Sequence, residues 1–115
     1  MAKAFMAVLG QGKGTWGHVA RIIGDQDFDE ILLISTEWGK ENFKPSKECD
    51  WIIINNRAPF DALVDQIKQK IPAGDVSVNI ASGTGKEHMA LIVALKQVIK
   101  EINIVTLTGE GLKYY

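Results

Sequence analysis

A single cysteine, Cys49, rules out a disulfide within the chain. The fold must then rest on its core, and the expected compartment is the reducing cytoplasm. The same thiol with two histidines, His18 and His88, gives no zinc-ligand spacing. No metal and no cofactor are expected. Basic residues are not in excess: 13 Lys and Arg stand against 14 Asp and Glu, a net charge of −1. That argues against non-specific nucleic-acid binding through a basic surface, leaving room for a small local basic patch, and direct DNA binding is not expected. No apolar run approaches the roughly 20 residues that cross a bilayer. The N-terminal MAKAFMAVLG is too short for a signal peptide and lacks its cleavage site. Repeats, low-complexity segments and linkers are also missing. What remains is one domain over residues 1–115, with 46% apolar residues for a core.

Apolar runs and helical patterns alternate along the chain. Ala4 to Leu9 reads as a buried strand that stops at Gly10. His18 to Ile23 reads as a helix ended by Gly24. Glu30 to Thr36 is a second buried strand, and Trp51 to Ile54 a third. Glu37 to Asp50, with Gly39 and Pro45, reads as an irregular loop of the length that often serves as a lid or binding edge. Pro59 suits a helix's first turn, Leu63, Val64, Ile67 and Ile71 supply the stripe, and Pro72 and Gly74 end it. Ile102 to Leu107 is a fifth strand, and Thr108 to Tyr115 a short tail with no effector domain after it. The expected fold is α/β, a Rossmann-like three-layer sandwich with a mainly parallel five-stranded sheet.

Val76 to Lys100 is the stretch around which the chain is organised. Val76 to Ile80 alternates as a strand, Ala81 to Gly85 is a small polar loop, and a helix follows from Lys86. Backbone N–H groups at such a helix start favour an anion. Ser82, Thr84 and Lys86 add hydroxyl and ammonium donors. A second reading fits equally: Thr84 and Glu87 have the spacing of a capping box, which explains both residues without a ligand. The loop is not a Walker A motif, because Ile80 and Glu87 stand where glycine and Ser or Thr belong. Further on, Met89 to Leu95 has no polar residue. An apolar stripe covers one face of a helix, whereas seven such residues in a row cover all of them. The helix is therefore expected to be buried on two sides, by the sheet and by a second copy of the chain. Neighbouring helices of its own chain are the alternative.

Other motifs are weaker. Gly12-x-Gly14-x-x-Gly17 lies between a strand and a helix, as in the dinucleotide fingerprint, with Glu37 where a ribose-binding acid belongs. A flexible glycine loop explains it better, since Trp16 is bulky for that turn. Gln11 and Lys13 fit the same cleft as the Ser82–Lys86 loop. Asn55, Asn56 and Arg57 follow a strand at the end where open sheets bind ligands, although a turn with a solvated Arg57 accounts for them. Trp38 and Phe43 read as core or partner contacts ahead of base-stacking groups.

The chain resembles the CRISPR-associated Rossmann fold (CARF) family and related archaeal regulator domains. Three stretches carry the resemblance: His18 to Ile23 before Asp29 to Thr36, the glycine loop after the first strand, and Asn79-Ile80-Ala81-Ser82-Gly83-Thr84-Gly85-Lys86-Glu87-His88-Met89-Ala90. The last is similar to the family's strand-four loop, with Gly85 as an insertion before Lys86 and with Glu87-His88 displacing Met89 by one position. It implies a stand-alone or excised domain of archaeal type that binds a cyclic oligoadenylate or other anionic nucleotide across a homodimer, here through the Met89–Leu95 helix. Carried over by residue, it implies ligand contacts at Gly10, Gln11 and Gly12 and at Ser82, Gly83, Thr84 and Lys86. Some relatives cleave the ring, for which Lys86, Ser82 and His88 are the available groups. An NAD-type module, and an interaction domain without a small ligand, stay open.

Overall fold

Buried strands alternate their side chains between two apolar layers, and β1 (Lys3–Val8) does so residue by residue. Ala4, Met6 and Val8 enter one core cluster, and Phe5, Ala7 and Leu9 the other. In β2 (Glu30–Ser35), Leu32 and Ile34 join the first and Ile31 and Leu33 the second. A strand covered on both faces reads in sequence as one apolar run, as these two do. The computed structural model describes residues 3–98 and 101–115. Ile99 and Lys100, the end of the organising stretch, lie outside them.

The remaining strands are β3 (Asp50–Ile53), β4 (Asp75–Asn79), β5 (Ile102–Thr108) and β6 (Gly111–Tyr114). Together they form a six-stranded sheet of order β3-β2-β1-β4-β5-β6. The first five are parallel to their neighbours, and β6 runs antiparallel to β5. Helices α3 (Phe60–Lys68) and α4 (Gly85–Gln97) cover one face. Helix α1 (Trp16–Asp25) covers the other. The fold is the expected three-layer, mainly parallel α/β sandwich.

The sixth strand corrects the expected five. Gly109 and Glu110 make a two-residue turn that pairs Thr108 with Gly111. Gly111 sits at φ +106°, where other residues are strained, and Thr108 Oγ1 donates to its carbonyl at 2.8 Å. The irregular loop is corrected too, because a short helix, α2 (Glu37–Asn42), opens it. Thr36 caps it by accepting from the Gly39 N–H at 3.3 Å. Gly39 is no helix former, but a Cβ there would collide with Ser35 Oγ, so only glycine lets the turn settle on β2. Helix boundaries shift: α1 begins at Trp16 after one 3₁₀ turn (Lys13–Thr15) and runs through Gly24 to Asp25, while Pro59 is the N-cap of α3, one position before its first turn, and α3 ends at Lys68, short of Ile71.

Candidate functional site

The chain winds outward from β1 through β2 to β3, then crosses back to place β4 on the other side of β1. Connections after β1 and β4 leave the sheet toward opposite faces, so a crevice opens at the carboxyl ends of these strands. Such switch points are where open α/β sheets bind ligands. Here the crevice is an open cleft of about 410 Å³ lined by Gly10, Gln11, Gly12, Thr15, Ala81, Gly83 and Thr84.

Its two walls touch through backbone. A Cβ on Gly10 would stand 2.9 Å from both the Cα and the N of Gly83. Gly83 itself is at φ +103°. Hydrogen bonds hold this approach. The Gly10 N–H donates to Ser82 Oγ at 2.9 Å, and the Trp16 indole N–H donates to the Gly10 carbonyl at 2.9 Å. One residue back, the Leu9 carbonyl accepts from Ser35 Oγ at 2.7 Å. Across the cleft, Asn79 is buried; its amide donates to the Val105 carbonyl at 2.9 Å and accepts from the Ala81 N–H at 3.1 Å. Every buried polar side chain among the described residues is satisfied. The backbone N–H groups of Gln11, Gly12 and Gly83 have no partner among the described residues.

The residues read from the sequence divide accordingly. Gly10, Gln11, Gly12, Gly83 and Thr84 line the cleft. Ser82 is 1% exposed and sits behind it, its hydroxyl bonded to Gly10. Lys86 is not in the lining: its ammonium donates to the Ala58 carbonyl at 2.7 Å and lies 3.4 Å from that of Asn56, bracing the β3–α3 connection. Thr84 and Glu87 form the complete capping box, with Thr84 N–H donating to Glu87 Oε1 at 2.7 Å. A buried carboxylate thus already complements the positive end of α4. The start of α1 differs, having no side-chain cap and no acid in its first turn.

His88 is half-buried, and its ring Nε2 lies 2.7 Å from the Ser82 carbonyl. It faces a second feature, an apolar groove of about 350 Å³ formed with Phe60, Ile80, Met89, Ile92 and Val93. Within the chain, the sheet side of α4 is Ala90, Leu91, Ala94 and Leu95, all buried. Met89 is 57% exposed, and Ile92 and Val93 are half-buried. The helix is covered by the sheet and, as the in-chain alternative had it, by its neighbour α3, which leaves only the side of Met89, Ile92 and Val93 open.

The dinucleotide reading loses its geometric reason. A Cβ on Gly12, Gly14 or Gly17 would meet nothing within 4 Å, so no close approach requires these glycines. Glu37 lies in the first turn of α2. Arg57 is exposed in a turn, its N–H donating to Asn55 Oδ1 at 3.0 Å. Phe43 is 5% exposed and packs edge-on against Trp16 and Trp51, a core role. Sequence reasoning missed Thr15, Ala81 and the two supports Ser35 and Asn79; polar residues ending buried strands were the available cue. Cys49 stands before β3, at the opposite end of the sheet from the cleft, its thiol pushed up to about 11 by burial and by the charge of Asp50.

No helix among the described residues is long and apolar enough to cross a membrane. No family model and no curated protein sequence matches the chain. The structure is similar to that of Enterococcus italicus Csm6 bound to cyclic hexa-2'-fluoro-hexa-dAMP, at TM-score 0.62 and 18% identity over 94% of this chain. The match takes in 34% of the Csm6 chain, so this sequence spans about a third of that protein's length. At that identity the likeness establishes the fold, a Rossmann-like α/β domain of the kind found in Csm6.

Proposed function

We propose that this domain senses a nucleotide, a cyclic oligoadenylate, at the β1–β4 cleft of a homodimer. The observation that carries the proposal is the position of the cleft. It lies at the switch point of a fold shared with Csm6, which was captured with a cyclic hexanucleotide analogue. Unpaired N–H groups of Gln11, Gly12 and Gly83 meet phosphate oxygens, and the uncapped start of α1 adds a positive field. Thr84 lines the same wall; Ser82 and Lys86 serve by fixing the loops around it.

A cyclic oligoadenylate repeats the same phosphate, ribose and base around a ring. Two identical clefts related by a two-fold axis read equivalent parts of it. The open apolar side of α4 supplies the dimer face, with the partner a second copy of this chain. Groove and cleft share one loop, because His88 holds the Ser82 carbonyl while Gly83 lines the cleft. Dimerisation and ligand binding are then coupled through Ser82–Thr84.

Calorimetry with cyclic tetra- and hexa-adenylate, with NAD as control, tests this. The expected result is saturable binding near one ring per two chains and no heat with NAD. Chromatography of the mixture then reports whether the ring survives. Absence of heat with either ring, from folded protein, would move the domain to an interaction role.

A further inference from the structure

The geometry points to Lys13 and Trp38 as a nucleotide-reading rim of the cleft, an ammonium for phosphate beside an indole for a base. This inference rests on the nucleotide-binding reading above. Lys13 lies in the 3₁₀ turn between Gly12 and Thr15, both of which line the cleft. Its ammonium is held 5.8 Å from the ring centre of Trp16 and 5.7 Å from that of Trp38, within the range of cation–π attraction. It forms no ion pair among the described residues, and Glu37, next to Trp38 in the chain, does not approach it within pairing distance. Lys86, the basic residue the sequence offered for this task, is spent on two carbonyls. Lys13, like Trp38, is not itself a lining residue; it flanks the lining residues Gly12 and Thr15, and its ammonium has no hydrogen bond or ion pair among the described residues.

The two indoles have different duties. Trp16 is buried, and its N–H is taken by Gly10. Trp38 is 39% exposed, and its ring centre lies 5.6 Å from that of Trp16, the two planes tilted by 52°. A large aromatic left open next to a pre-positioned ammonium matches one nucleotide unit, whose anionic phosphate and flat base need both. The α2 cap positions this ring. Thr36 starts the helix at Glu37, and the close fit of Gly39 on Ser35 fixes its first turn.

The test uses the full chain with cyclic hexa-adenylate, by calorimetry at several salt concentrations and by tryptophan fluorescence. Lys13→Gln is expected to weaken binding about tenfold and to flatten the salt dependence by about one phosphate contact. Trp38→Ala is expected to weaken binding about tenfold, the size of one stacked base. Trp38→Phe keeps a stacking face and the packing on Trp16, so it folds and binds within about threefold. In wild type the ring is expected to quench tryptophan emission; in Trp38→Phe that quench shrinks to what Trp16 contributes, although the ring is bound. Wild-type affinity in both Lys13→Gln and Trp38→Ala, or a quench of undiminished size in Trp38→Phe, overturns the rim and leaves the cleft reading standing. Failure of the wild-type protein to bind any cyclic oligoadenylate overturns both.

Discussion

Replacing Gly83 with alanine tests whether the loop after β4 needs a glycine where it passes over β1 and the start of α4 to wall the cleft. At φ +103° an alanine is held in a region that L residues avoid, a strain of roughly 1–3 kcal/mol. Its Cβ would also fall inside contact distance of Val8 Cγ1 and 3.0 Å from Glu87 Oε1. Overpacking of a closed site adds about 1–3 kcal/mol. One backbone shift relieves part of both, so the sum is not reached, and the expected loss is about 3 kcal/mol. For a domain of this size that lowers Tm by roughly 12 °C and the urea midpoint by about 1.5 M, with the m-value unchanged. Gly85→Ala is the control. It places a Cβ in open space at the first residue of α4 and leaves stability unchanged or higher by up to about 0.5 kcal/mol. A Gly83→Ala protein whose urea midpoint equals that of wild type would refute the claim that Gly83 is held at positive φ in close contact with β1 and α4.

Thr84→Ala removes half of the α4 capping box and should cost about 1 kcal/mol in thermal unfolding, with Thr84→Ser restoring most of it. No change in Tm would mean that the cap is not engaged. Met89→Glu puts a charge on the open side of α4 at a 57% exposed position, so folding is expected to be kept and the proposed dimer to be lost in sedimentation velocity. A wild-type monomer at high protein concentration would remove the assigned face. Because the Cys49 thiol is pushed up to about 11, against an ordinary value of 9.0, it stays protonated at pH 8. Thiol-reagent labelling of the folded chain should run roughly 100-fold slower than of the unfolded chain, accelerating about tenfold per pH unit toward pH 11. Equal rates in the two states would show that burial does not protect it.

Much of the fold follows from local pattern. Phe5 and Met6 belong to opposite faces of a doubly covered strand, and that alone produces the apolar runs of β1 and β2. The capping box is likewise local, since Thr84 and Glu87 are one helical turn apart. Tertiary contacts were needed elsewhere. Gly39 is unfavourable in a helix by propensity, and α2 forms there because the missing Cβ admits Ser35 Oγ. The sixth strand depends on β5 lying beside it, since a four-residue run has too little pattern to declare itself.

The cleft shows the same division. Sequence alone determined that glycine-rich loops follow β1 and β4, because those residue types mark turns wherever they occur. Tertiary structure decided that the two loops meet: the crossover from β3 to β4 brings Gly10 against Gly83, 73 positions apart in the chain. It also decided what each polar group does. Ser82 and Lys86 read as ligand donors in sequence, and the fold gives each a partner within the chain, the Gly10 N–H and the Ala58 carbonyl. A hydrogen-bonding group takes whichever partner the packing brings within reach, and that depends on residues far away in sequence.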